Sequence, residues 1–528
     1  MAAQHIINVD LAKVYAELNG SQSKKRFVRT LAWGDDVEVL NITSKHVEIR
    51  TTRYTTLPNG SIKPQASSGF ILPPTSGKIK PSDVVLDKKD DRVLKVDFVD
   101  VQQGDGSVIE TPQGQVVLID GGDNQLFARY LAGRYRGTSA TKPKDVDCIV
   151  VTHGDADHFA GLAKIHESET HRTPYKRFFM QPRRVYHNGL VKRPGKKGGK
   201  ARKEEELLGE TQTLDGQTII TGLVSNLLDV PDQEMNEPFL EWKKALQDYQ
   251  TRGPIEFRRL AKADDGAFDF LKDEGIRVEV LGPIPTKAGS IEGLEFLGTP
   301  KKGPRVGHES LATGTEGFGG FSASHTINGH SIVFRLVYGD FSFLFTGDLN
   351  DEAGRALVRD QAENKLTLRS EVFKVPHHGS ADFSGAFLQA VAPVVSVVSS
   401  GDESARKEYI HPRSTLMGAL GRYSRVEEPL IFVTELVAFF QMEGFVRPEY
   451  HQLKKGEPLI VRGKAAIDQK AKPEFFAFSR AAFGLVRLRS DGKRLLVYTN
   501  SGQADLKEAY AYEMDANKNP APVMVRQV

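Results

Sequence analysis

The sequence predicts an α/β (α+β) fold: a mixed core preceded by a small β-barrel and interrupted by a helical insertion. Three observations lead there. Short apolar runs end repeatedly in histidine or aspartate, as strands do when their carboxyl ends carry a site. Between about residues 188 and 275 the period-two pattern gives way to helical spacing. The first 90 or so residues are short alternating runs separated by turn signals.

The elements follow in order. Val28–Leu31 and Val37–Leu40 flank Gly34-Asp35-Asp36, Val47-Glu48-Ile49-Arg50 alternates, and Pro58-Asn59-Gly60 makes a turn. This pattern resembles a bacterial Src-homology-3-like barrel. Pro73-Pro74, Pro81 and Asp87-Lys88-Lys89-Asp90-Asp91 then read as a linker. The core, assigned to residues 91–460, opens with Leu94–Val101, a Gly104-Asp105-Gly106 turn, and strands ending on Asp120-Gly121-Gly122. Residues 123–136 read as a helix, and 146–151 as a strand. After about residue 187 the insertion begins, with helical spacing over 203–275, including Glu241–Leu246. The core resumes at Ile276–Leu281, and glycine-rich 302–322 reads as a loop. Asn328–Leu336, Phe341–Thr346, Glu371–Pro376 and Pro393–Val398 follow as strands. Residues 461–528 form a β-rich accessory segment with an Asp491-Gly492 hairpin turn.

Composition narrows the class. The 528 residues allow two to four domains, and 39% hydrophobic with 26% charged residues describes a globular protein. A net charge of +3 gives no global signature for nucleic acid, so any such affinity must come from a local patch. The single Cys148 excludes internal disulfides and thiolate clusters. No leader segment and no run near the ~18 apolar residues of a membrane helix is evident, which predicts no membrane and a cytoplasmic location.

The chemistry concentrates in Thr152-His153-Gly154-Asp155-Ala156-Asp157-His158, directly after the apolar run Cys148–Val151. So many acceptors in one turn would repel one another without a shared cation. Imidazole suits Zn, Fe and Mn, and carboxylate suits harder ions. Further candidates stand at later strand ends: His187, Asp348 after Thr346-Gly347, and His377 or His378.

The motif resembles the His-x-His-x-Asp-His signature of the metallo-β-lactamase superfamily, with Asp155 in place of the second histidine. That variant, with Asp120-Gly121-Gly122, Thr346-Gly347-Asp348 and His377-His378-Gly379-Ser380, is similar to the hydrolase domain of the ComEC competence family and its soluble relatives. The resemblance spans about 93–187 and 276–420. It implies an αββα sandwich and two divalent metal ions, Zn or Mn. His153 and Asp155 would serve the first ion, and Asp157 and His158 the second. Asp348 would bridge them, and His377 or His378 would complete the second site. Asp155 would harden the first site, shifting it from Zn toward Mn or Mg. His187 is the candidate third ligand of that site; an ordinary loop histidine is the equal alternative. Asp157 and Asp348 would be catalytic through a metal-bound hydroxide. His411 would bind phosphate or protonate the leaving oxygen, or simply precede a helix opened by Pro412.

A basic stretch with interleaved aromatics, Arg172 to Lys203, points to a phosphate polymer, with Lys196, Lys197, Lys200 and Arg202 as the substrate-binding candidates. The leading expectation is a phosphodiesterase or nuclease acting on DNA or RNA. The alternatives are a hydrolase of a small ester, lactone or thioester, and a binding or scaffold protein with a decayed hydrolase core. The N-terminal barrel could recruit a protein partner in any of these cases.

Overall fold

Between Val93 and Val151 apolar side chains alternate between two buried faces. Leu94, Val96, Phe98, Ile109, Val117, Ile119, Cys148 and Val150 enter one core cluster, and Val108, Val116, Leu118 and Ile149 enter another. A sheet buried on both faces needs a layer on each side. A computed structural model, describing residues 4–18, 21–56, 62–73, 79–298, 322–401, 411–435, 484–500 and 507–528, supplies those layers.

The first sheet has ten strands. From one edge these are Glu256–Arg259, Arg184–His187, Cys148–Val150, Val116–Asp120, Gly106–Glu110, Leu94–Phe98, Val486–Ser490, Arg494–Asn500, Lys507–Met514 and Pro520–Val523. The second sheet has six strands: Ile276–Gly282, Val333–Tyr338, Phe341–Phe345, Val372–Lys374, Val395–Val398 and Leu430–Val433. Val278, Phe334, Phe343, Phe345, Val395 and Val397 of the second sheet share one core with Val96, Phe98 and Ile119 of the first. The outer face of the first sheet is covered by helices Leu126–Arg134, Ala156–Ser168 and Glu237–Gln250, through Phe127, Phe159 and Trp242. The outer face of the second is covered by Asp351–Ala362, Gly385–Val391 and Ser414–Tyr423, through Leu357, Phe387 and Leu416. The order of layers is αββα.

Several elements differ from expectation. The insertion is less helical than its spacing suggests: Glu237–Gln250 is its α-helix, but Thr211–Leu214 and Gln217–Ile220 form a hairpin that joins Thr286–Ala288 and Ile291–Glu295 in a four-stranded sheet. The core sheet resumes earlier than Ile276, because Glu256–Arg259 pairs in parallel with Arg184–His187. The expected strand from Asn328 begins only at Val333. Its first residues end helix Ala323–Gly329, whose N-terminus Ser322 caps by accepting from the His325 N–H. The glycine-rich 302–321 and Pro58-Asn59-Gly60 lie outside the described residues.

The C-terminal strands extend the core sheet itself. Val486–Ser490 pairs antiparallel with Leu94–Phe98, and Arg489 donates to the fully buried Asp97 at 2.8 Å. The N-terminal region is a seven-stranded sheet in the order Ser21–Ala32, Leu11–Leu18, Ile62–Ile71, Val47–Thr56, Asp36–Ile42, His5–Ile7, Val85–Asp87. It is tied to the tail by Asp10, which accepts from Arg494 Nε at 3.1 Å and Arg526 Nη2 at 3.0 Å. Among the described residues, no helix is long and apolar enough to cross a membrane.

Candidate metal centre

The cluster forms where both sheets end. Strand Cys148–Val150 stops at Val151, and helix Ala156–Ser168 begins five residues later, so His153 lies in the connecting loop and Asp157 and His158 in the first helical turn. Asp348 follows Phe341–Phe345 after a turn at Gly347, whose φ of 49° favours glycine. A Cβ at Gly347 would also lie 2.7 Å from Ser331 Oγ, the atom that accepts from the Asp348 N–H at 3.0 Å. His378 follows Val372–Lys374.

Four of these side chains meet. His158 Nε2 lies 3.1 Å from Asp348 Oδ1, and His378 Nε2 lies 3.2 Å from Asp348 Oδ2 and 3.4 Å from Asp157 Oδ2. His153 flanks them, its Nε2 4.0 Å from Asp348 Oδ2 and its ring 4.0 Å from that of His158. His153, His158, His378 and Asp348 are all buried. His158 Nε2, His378 Nε2 and Asp348 Oδ1 have no hydrogen-bond partner although fully enclosed. Buried polar atoms left unpaired beside one another fit a bound cation. Asp157, His158 and His378 form one group within ligating reach of one another, and His153, His158 and Asp348 form another.

The other nitrogens are already committed. His158 Nδ1 lies 2.8 Å from Asp120 Oδ2, and His378 Nδ1 lies 3.0 Å from the Ser399 carbonyl. In each case a proton on Nδ1 leaves the Nε2 lone pair free toward the centre, the arrangement that holds a metal-binding imidazole in its tautomer. Without an ion the same geometry favours charged rings. Burial alone would push both histidines down, but Asp348 with Asp120 and Asp105 holds His158 well above its ordinary value, and Asp348, Asp105 and Asp157 do so for His378. Burial likewise opposes ionisation of Asp157 and Asp348, yet His378 and His158 hold both well below the usual carboxylate range. His153 is pushed well down by burial and by His158.

Of the two candidates, it is His378 that faces the cluster. His377 Nε2 instead lies 3.5 Å from the side-chain amide of Asn328, and its ring is 6.1 Å from that of His411. His411 is therefore next to His377 rather than among the clustered ligands, and burial with the neighbouring His378 and His377 lowers it to about 3. His187 does not face the centre. Its Nδ1 accepts from the Gly189 N–H at 3.0 Å, so Nε2 carries the proton and donates to the Ser225 carbonyl at 3.1 Å. Both nitrogens are used, and burial lowers the ring to about 4. Asp155 faces Lys192, whose Nζ donates at 2.8 Å.

The basic candidates separate. Lys196, Lys197 and Lys200 are exposed on the hairpin Lys196–Lys197/Lys200–Ala201. Arg202 is not a free cation: its side chain is 5% exposed and donates to Glu234 at 3.0 Å. Three supporting residues were not anticipated. Asp120 orients His158 and also accepts from Thr152 N and Oγ1 at 2.8 and 2.7 Å. Asp105 is buried against Lys374, which also donates to the Gly347 carbonyl at 2.9 Å. Their Gly-Asp-Gly, Asp-Gly-Gly and Lys-Val-Pro-His-His settings were visible in the sequence, but as landmarks rather than as partners of the site.

Comparison with known proteins finds three similarities. Residues 99–217, which contain the His153–His158 motif, match the metallo-beta-lactamase superfamily. The chain is 43% identical over 86 residues to the competence protein ComA of Neisseria gonorrhoeae, covering 16% of this chain and 12% of that protein. The chain thus spans a small part of that relative's length. A crystal structure of a metal-dependent hydrolase of the beta-lactamase superfamily is similar with a TM-score of 0.30 and 11% identity, over 64% of this chain and 95% of that one.

Proposed function

We propose that this chain is a metal-dependent phosphodiesterase acting on nucleic acid. The observation that supports it most is the convergence of unpaired His158 Nε2, His378 Nε2 and Asp348 Oδ1 beside Asp157. Those residues would hold the divalent ion, and Mn or Zn suits a set of two imidazoles and two carboxylates. Bound there, the ion supplies Lewis acidity toward a phosphoryl oxygen and lowers the pKa of water. Asp120 and the Ser399 carbonyl fix the two imidazoles, so neither must reorganise during turnover. Gln103 Nε2 donates to Asp157 Oδ2 at 3.2 Å and steadies that carboxylate.

The ComA relative is named as a competence protein, which favours a DNA-related substrate. Lys192 beside Asp155, followed in the chain by the exposed Lys196, Lys197 and Lys200, suits a phosphate backbone. His411, its ring 6.1 Å from that of His377, is kept neutral at neutral pH by burial and the neighbouring histidines, so it is a candidate to donate a hydrogen bond to a phosphate oxygen rather than to protonate the leaving oxygen.

The test is hydrolysis of DNA, RNA and a generic phosphodiester by the metal-loaded full chain, alongside Asp348→Asn and Asp157→Asn. Both variants should lose several orders of magnitude in turnover and remain folded. Neutralising Lys196, Lys197 and Lys200 should weaken nucleic-acid binding and flatten its salt dependence by up to about three in log–log slope. Activity on small esters with none on phosphodiesters would overturn the proposal.

A further inference from the structure

We infer that the centre holds one resident ion, and that the Lys192 ammonium stands where a second would be expected. This rests on the metal-centre reading above, but it concerns this chain's own donors.

A first ion would need His153, Asp155, a third ligand such as His187, and a share of Asp348. Catalytic sites of this kind ordinarily take three protein ligands to one ion. Here the donors are already spent. His187 uses Nδ1 for the Gly189 N–H and Nε2 for the Ser225 carbonyl. Asp155 Oδ1 accepts from Lys192 at 2.8 Å. With the Asn328 amide turned so that its nitrogen faces acceptors, Asp155 Oδ2 accepts from it at 3.0 Å. Both carboxylate oxygens thus have protein donors. His153 Nε2 remains, and the two side chains within ligating reach of it, His158 and Asp348, are shared: His158 also belongs with Asp157 and His378, and Asp348 Oδ2 also lies 3.2 Å from His378 Nε2.

Lys192 is held for this role. Its carbonyl accepts from the Asn236 N–H at 2.9 Å, which fixes the backbone at the start of helix Glu237–Gln250. Its Nζ also lies 3.5 Å from Ser324 Oγ. A divalent ion entering beside Asp155 would have to displace this ammonium or sit against it. The lysine side chain is 27% exposed, so a substrate oxygen can reach it. Lys192 thus supplies positive charge for an anionic oxygen, while Asp157, His158, Asp348 and His378 are the residues that would hold an ion, which would supply the Lewis acid. The acidic substitution at Asp155 then serves to seat a lysine rather than to harden a metal site.

The experiment is Mn2+ titration by calorimetry, with elemental analysis after desalting, on the metal-stripped full chain. Wild type should bind one ion. Lys192→Met, which keeps the length and removes the charge, should bind two, because Asp155 Oδ1 becomes a free ligand. Lys192→Arg should bind one. Circular dichroism on each variant confirms that it is folded. Two ions on wild type overturn this inference alone. One ion on Lys192→Met removes Lys192 from the role and overturns it as well. No ion on any of the three overturns both this inference and the metal-dependent function.

Discussion

Asp120 gives the most direct handle on how the centre is built, because it touches the metal site only through His158. The informative change is Asp120→Asn. Asp120 has φ 58°, a left-handed conformation that asparagine tolerates and most residues do not. The variant therefore changes charge and hydrogen bonding without adding backbone strain. An asparagine oxygen in the place of Oδ1 still accepts from Thr152 N, now at 2.8 Å. An NH2 group in the place of Oδ2 cannot accept from His158 Nδ1, which lies 2.8 Å away. Thr152 Oγ1, at 2.7 Å, can rotate and accept instead. His158 cannot adapt that way: it must carry its proton on Nε2, the atom 3.1 Å from Asp348 and needed by the ion. Loss of such a carboxylate partner typically costs ten- to a hundredfold in metal affinity, about 1.4–2.8 kcal/mol. Competition with a chromogenic chelator on stripped protein measures it directly. A Kd for Mn2+ within twofold of wild type would show that Asp120 does not set the His158 tautomer, and the argument would fail.

Two other outcomes follow from the geometry. Gly104 has φ 104°, and a Cβ there would stand 1.8 Å from the Asp157 carbonyl oxygen; Gly104→Ala should push the Asp157 turn aside, with about 1–3 kcal/mol of destabilisation in a thermal melt and weakened Mn2+ binding, and an unchanged melt and affinity would refute the contact. Glu110 is held down to about 2 because Arg134 and Lys95 outweigh its burial; a depressed carboxylate adds stability above its unfolded value near ~4.3 and loses it as pH falls toward 2, so the unfolding free energy from urea titrations of wild type should fall over that window with Glu110 contributing on the order of 3 kcal/mol, and Glu110→Gln should lessen the fall by that amount.

The sandwich was legible because its signals are local. Period-two runs such as Leu94–Phe98 and the polar strand ends at His153, Asp348 and His378 each declare themselves within a few residues. The insertion misled because apolar spacing cannot tell a short hairpin such as Thr211–Ile220 from a helix once it packs on partners far away in the chain, here Ile291–Glu295. The same holds for the tail. Nothing within 484–490 says that Val486–Ser490 will pair with a strand almost four hundred residues earlier, and the Arg489–Asp97 contact that accompanies it is likewise a product of the fold.

The site divides along the same line. Residues that would touch an ion announce themselves by type and crowding. Residues that decide whether they can do so are recognised only by what they exclude. His187 follows a strand and precedes a turn, as a ligand would, yet two backbone groups, Gly189 N–H and Ser225 C=O, take both of its nitrogens. Arg202 reads as part of a phosphate-binding stretch, yet Glu234 holds it with Arg193 nearby. Lys192 reads the same way, and its partner Asp155 reads as a ligand; only their 2.8 Å contact shows that each changes the meaning of the other. A carboxylate in a ligand motif is a ligand only while its oxygens are free. In this chain His158, His378 and Asp348 carry buried polar atoms left without partners, and those free donors, rather than the number of matched motif positions, are what the chemistry has to use.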